Sequence, residues 1–119
     1  MRILQANKFY FLRGGAERYM LDLSAWLTAQ GHEVLPFAMR HPENLSADTS
    51  AFFPSFVATE RVRIGLSGLR TLARMFYSAE ARQKMGQLVD ARHPDVAHVH
   101  NVYTQLSPSI LSALRIRRV

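Results

Sequence analysis

Apolar and polar positions change rhythm several times along the 119-residue chain. Arg2-Ile3-Leu4-Gln5-Ala6-Asn7 is a short apolar run that predicts a buried strand at the first residues. From Gly15 to about Gln30 the period becomes helical. Ala16, Met20, Leu23 and Leu27 recur at i, i+4, i+7 and i+11 on one face, and Tyr19 and Trp26 widen that face. Gly31 supplies the left-handed residue that ends such a helix. Glu33-Val34-Leu35-Pro36-Phe37-Ala38 then reads as a second strand, and Pro36, which cannot donate to a ladder, points to an edge position.

Between Arg40 and about Arg61 periodicity gives way to turn formers, among them His41-Pro42-Glu43-Asn44, Asp48-Thr49-Ser50 and Pro54. A structureless stretch of that length in a compact domain tends to be a functional or mobile loop. Its aromatics Phe52, Phe53 and Phe56 fit either contact with a sugar or lipid or the capping of exposed core. Helical spacing returns from Arg63 to about Tyr77, with Leu66, Leu69, Leu72 and Phe76 on one side. A further helix from about Ala79 to Ala91 turns Ala81, Met85, Leu88 and Val89 inward until His93-Pro94 stops it. Asp95 to His100 predicts a third strand, and Ser107-Pro108 opens a last helix with serine as N-cap and proline at N1.

Strand, turn, helix and strand in that order make a β-turn-α-β unit, so the expected fold class is α/β with a Rossmann-like parallel sheet and flanking helices. Three strands leave much of a doubly wound sheet unbuilt, and no strand follows the last helix, so the chain is expected to be part of a longer protein. In open parallel sheets ligands sit beyond the carboxyl ends of the strands, which places a candidate site at the Gly14-Gly15 turn.

Two adjacent glycines allow positive φ and close approach of the main chain. The N–H groups of Gly15 and Ala16 are therefore candidates to hold a phosphate or a sugar hydroxyl, with Lys8 and Arg13 adding charge. The turn is neither a dinucleotide fingerprint, since no third glycine follows, nor a P-loop, since no Gly-Lys-Ser/Thr ends it. Glu17 in the first turn fits a capping and dipole role, and it would repel an anion placed too close. His98 and His100 share one face of the third strand, a spacing compatible with zinc. Without a third ligand nearby, and with both sheet faces expected under helices, hydrogen-bonded structural histidines are the better expectation. His100, nearer the carboxyl end, belongs with Asn7, Asn101, Tyr103 and Gln105 in the same crevice as the glycine turn.

The net charge is +6, and the cations are thirteen arginines with Lys8 and Lys84. Arginine forks suit diphosphates, anionic membranes and nucleic acid alike. The stretch from Arg61 to Lys84 mixes arginines with Leu66, Leu69 and Phe76 and fits either a solvated basic face or a helix lying on anionic lipid. No cysteine is present, which removes disulfides and thiolate metal sites. With no charged leader before the first strand and no run of ~18 apolar residues, a soluble, cytoplasmic chain is expected.

Arg2-Ile3-Leu4, Gly14-Gly15-Ala16-Glu17, Gln30-Gly31-His32-Glu33-Val34 and Pro94-Asp95-Val96-Ala97-His98-Val99-His100-Asn101, in this order, resemble the N-terminal domain of GT-B glycosyltransferases. The resemblance is to glycosyltransferase family 4, the glycogen-synthase-like and capsule-making branch. It implies a retaining transfer from a nucleotide-diphosphate sugar to a glycan or lipid-linked acceptor in surface polysaccharide synthesis, with no metal or other cofactor. It further implies an acceptor-side domain here, incomplete, and a C-terminal donor domain absent from the sequence. Gly14 and Gly15 would correspond to the loop that approaches the donor diphosphate and acceptor, and Asn101 would border the acceptor side. Catalytic residues are not identified, and the likeness leaves room for peripheral contact with the cytoplasmic face of the inner membrane. The alternative is a non-enzymatic basic α/β module that binds anionic lipid or nucleic acid. The absence of an aromatic-basic RNA motif or recognition helix weighs against nucleic acid.

Overall fold

The computed structural model describes residues 1–55, 67–102, 106 and 108–119, with 67–78 described as helical backbone only. Strand β1 (Arg2–Ala6) leads through the glycine turn into helix α1 (Gly15–Ala29), and β2 (Glu33–Phe37) follows. A single 3-10 turn (Ser50–Phe52) precedes helix α2 (Ser67–Arg92), strand β3 (Val96–Val99) and helix α3 (Ser109–Ile116). The three strands form a parallel sheet in the order β2-β1-β3, with Leu4 opposite Leu35 and Ala97, and Gln5 opposite Pro36 and His98. Among the described residues β2 is an edge strand, as Pro36 predicted. The Pro36 carbonyl is satisfied by the Thr49 hydroxyl, which donates to it at 2.6 Å.

Alternation along each strand sorts the sheet into two faces. Leu4, Ala6, Phe37 and Met39 pack on Ala81, Met85, Leu88 and Val89 of α2 and on Ile110, Ala113 and Leu114 of α3. Burial of these side chains supplies the main driving force for the domain, at ~1.5–3 kcal/mol for each large apolar residue. The opposite face carries Ile3, Gln5 and Asn7 toward α1.

Arg117 and Gly86 lock the two helices of the first face together. The Arg117 guanidinium donates from Nε and Nη2 to the two Asp90 oxygens at 2.6 and 2.8 Å, and it lies flat where a Cβ on Gly86 would come within 2.8 Å of Nη2. At the amino ends of the strands, Arg92 bridges Glu33 and Asp48 while Arg2 pairs with Glu33 at 3.0 Å, which pins the sheet end farthest from the glycine turn. Hydrogen bonding from Arg92 holds the Glu33 carboxyl below its ordinary pKa.

Several expectations need correction. One continuous helix, α2, replaces the two predicted over 63–77 and 79–91, because Tyr77-Ser78-Ala79-Glu80 contains no breaker to divide them; residues 63–66 lie outside the described residues. The last helix is capped by Pro108 itself, and Ser107 is likewise outside them. Gly31 ends α1 as expected, with φ +87°. Its buried face, however, is Glu17, Met20 and Ser24, whereas Tyr19 and Trp26 are both 59% exposed. Helix α1 packs chiefly on β2 of the sheet, and the flank bearing the two aromatics is turned to solvent.

Part of the long loop after β2 is also less irregular than expected. Asn44 donates from its side chain to the Met39 carbonyl at 2.7 Å, the Tyr10 amide donates to the Asn44 side chain, and the 3-10 turn sets Phe53 edge-on to Phe37 at 6.3 Å. Phe53 is buried and Phe52 half-buried, so these two cap the core; Phe56 lies outside the described residues.

Candidate functional site

The carboxyl ends of β1 and β3 meet the amino end of α1, and Asn7 is the residue that joins them. It follows the last residue of β1, is fully buried, and donates from Nδ2 to the Phe9 carbonyl at 2.9 Å and to Glu17 Oε1 at 3.2 Å. Its Oδ1 accepts from the Asn101 amide at 3.2 Å. The Lys8 amide donates to the Asn101 carbonyl at 3.0 Å, which adds a second tie between the two strand ends. Three distant segments are thereby set by one side chain.

The turn thus held is open. Gly14 and Gly15 are exposed, and a Cβ built on Gly15 meets nothing within 4 Å. Gly14 has φ −159°, extended backbone that any residue adopts, and Gly15 is not among the glycines with positive φ. The expected positive φ is therefore not what the glycines provide. At Gly15 neither conformation nor packing excludes a side chain, so what the missing Cβ gives is room for close approach from outside. The first-turn amides of a helix have no intrahelical partner, and with glycine at the N-cap no side chain bonds them.

Lys8 and Arg13 both gather over one aromatic ring. Lys8 Nζ stands 5.2 Å from the Phe9 ring centre and the Arg13 guanidinium carbon 4.7 Å from it. Phe9 is in turn tilted against Phe11 at 5.2 Å, and Phe11 stacks on His41 at 4.6 Å. His41 and Arg40 help line an open cleft of about 460 Å³ with Asn44, Leu45 and Phe53. This aromatic and cationic platform beside the turn escaped sequence reasoning. Its signal was present in the alternation of Phe9, Phe11 and Arg13.

On the β3 side, His100 is part-buried and in hydrogen-bond contact through Nε2 with Gln5 Oε1. Tyr19 packs edge-on to His100 at 5.8 Å and His98 stacks on it at 4.1 Å. His98 itself is exposed, contrary to the expectation that a helix covers it. Among the described residues no third metal ligand joins the pair. Tyr103 and Gln105 lie outside the described residues.

Burial, with His98 adding to it, lowers the His100 pKa from 6.5 to about 4. Between these values the unfolded chain binds the proton that the folded chain refuses, so stability is complete above about pH 6.5 and is lost progressively as pH falls toward about 4. The His100 ring signal should titrate near pH 4 by NMR, and His100→Gln should flatten that part of the urea-midpoint profile against pH. A ring midpoint at the ordinary histidine value would contradict the burial of His100.

A family model described as Glycosyltransferase Family 4 matches residues 13–119. No curated protein and no solved structure matches the chain.

Proposed function

The chain belongs to glycosyltransferase family 4, and from that membership we propose that it is the acceptor-side part of a retaining enzyme. The enzyme would move a sugar from a nucleotide-diphosphate donor to a glycan or lipid-linked acceptor in surface polysaccharide synthesis. The observation that carries this reading is the open Gly14-Gly15 turn. Its unpaired amides lie at the carboxyl end of a parallel sheet, next to the end of β3, where α/β folds take ligands.

In this reading Gly14, Gly15 and Ala16 offer main-chain donors to the reacting groups. Lys8 and Arg13 raise the local positive potential, and Asn7, His100 and Asn101 form the acceptor wall. The neutral His100 suits a hydroxyl better than an anion. The donor's diphosphate is met chiefly by a second domain. Fixed main-chain dipoles aimed at the reacting groups lower the barrier without reorganising during transfer. The net charge of +6 is compatible with an acceptor presented at the cytoplasmic face of a membrane, and no described helix is long and apolar enough to cross one.

The test is turnover. The protein extended through a donor domain should release nucleotide diphosphate from one member of a donor panel in the presence of acceptor, while the 119-residue chain alone should release none. Failure of the extended protein to transfer or hydrolyse any nucleotide sugar would remove the proposal.

A further inference from the structure

A second concave surface lies in the loop after β2. Its cleft of about 460 Å³ falls within the ~300–1,000 Å³ of small-molecule sites. The loop is tied down in two places, because the Leu45 amide donates to the Tyr10 carbonyl at 2.8 Å and the Arg40 amide to the Pro54 carbonyl at 2.8 Å. The Glu43 amide donates to His41 Nδ1 at 3.1 Å, which holds the imidazole that forms part of the lining. The cleft is therefore formed before anything enters it.

Two chemistries meet there. Leu45, Ala51 and Phe53 give the lining an apolar part, with Leu45 51% exposed, and the His41 ring beside them is backed by Phe11. Arg40 is exposed and lines the same cleft. A second guanidinium lies one ring away, since Arg13 stands over Phe9 at 4.7 Å and Phe9 meets His41 edge-on at 5.5 Å. Among the described residues neither Arg40 nor Arg13 has a carboxylate partner. Of the acids on this loop, Asp48 is engaged by Arg92 at 2.8 Å, and Glu43 forms no ion pair among the described residues.

An apolar wall takes the C–H face of a sugar ring, and a guanidinium fork takes a carboxylate in its own plane. A neutral sugar would leave the arginines without a counter-charge. A lone phosphate would leave the apolar lining without contact. We propose that the cleft binds an anionic saccharide unit of the acceptor, its ring against Leu45 and His41 and its carboxylate on Arg40, with Arg13 strengthening the field. This rests on the glycosyltransferase reading and names the chemical class of its acceptor.

Calorimetric titration of the intact enzyme with methyl glucuronoside, methyl glucoside and inorganic phosphate tests the assignment. The glucuronoside should bind about ten-fold more tightly than either of the others, the value of one charge-assisted fork added to ring contact. Arg40→Gln should remove most of that preference, with the melting midpoint near wild type because the side chain is exposed and makes no ion pair among the described residues. Equal affinity for glucuronoside and glucoside, or full preference kept in Arg40→Gln, would overturn the proposal. Phosphate bound as tightly as the glucuronoside would do the same, by showing an anion patch that reads no ring.

Leu45→Ser gives a second, independent arm. It should weaken the glucuronoside several-fold and leave phosphate unchanged, and an unaltered glucuronoside affinity would count against a ring seated there. Transfer assays separate this proposal from the reading beneath it. An enzyme that transfers sugar with no preference for an acidic acceptor keeps the glycosyltransferase reading and loses the subsite. Arg40-dependent binding of the glucuronoside in a protein that transfers nothing does the reverse.

Discussion

Replacing Asn7 by alanine is expected to cost ~3 kcal/mol or more, since it removes in one step the buried amide that donates to the Phe9 carbonyl and the Glu17 carboxylate and accepts from the Asn101 amide. Each buried group left unpaired costs ~1–3 kcal/mol, and a carboxylate stripped of its donor is at the upper end. Against the ~5–15 kcal/mol that holds a typical domain, the melting midpoint should fall by roughly 10–15 °C. Asn7→Asp should be no better at neutral pH despite equal size, because its second oxygen would face the Phe9 carbonyl and Glu17 with lone pairs instead of protons. Transfer should suffer as well, since Asn7 sets the distance between the glycine turn and the end of β3. Urea unfolding of each variant checks the first expectation. A loss under ~1 kcal/mol would show that the side chain is not the joint described here.

Gly15→Val should show the opposite pattern, with activity lost and stability kept. A Cβ at Gly15 meets nothing within 4 Å and the residue is not at positive φ, so the fold has no objection to a side chain. Glycine at a helical position is ~0.5–1 kcal/mol worse than alanine, so the melting midpoint should hold or rise slightly. The new methyl groups would stand in the approach to the Gly15 and Ala16 amides. A displacement of about 1 Å in bound substrate costs on the order of 100-fold in rate, which is the expected loss in kcat/KM for sugar transfer. The comparison of melting midpoint with kcat/KM is decisive. Full activity in a folded Gly15→Val protein would mean that nothing approaches the turn.

Much of the frame follows from neighbours within a few residues of one another. Leu4 to Phe37 reads as strand, helix and strand because the apolar period changes from strand to helix and back, and Gly31 stops α1 with the one described glycine at positive φ. The inward face of α2, through Ala81, Met85, Leu88 and Val89, is a helical repeat, and each of those residues is buried. The two glycines at the head of α1 mark a candidate site by their position in the sequence, as does the run Asp95 to Asn101 that contains β3.

Other features needed the chain to close on itself. Asn7 meets Asn101 across 94 residues and Gln5 meets His100 across 95, and no local period announces a pair so distant. Parallel strands bring such residues together because each crossover returns the chain in the same direction, which puts all carboxyl ends on one side of the sheet. The facing of α1 is of the same kind. Helical spacing allows Tyr19 and Trp26 a place on the apolar stripe. The lie of the helix across the sheet puts Glu17 inward and leaves both aromatics largely in solvent. Local rules therefore specify which segments become strands and helices and where one candidate turn falls. The polar partners that give the turn its chemistry depend on how α1 lies across a sheet whose strands are far apart in the chain.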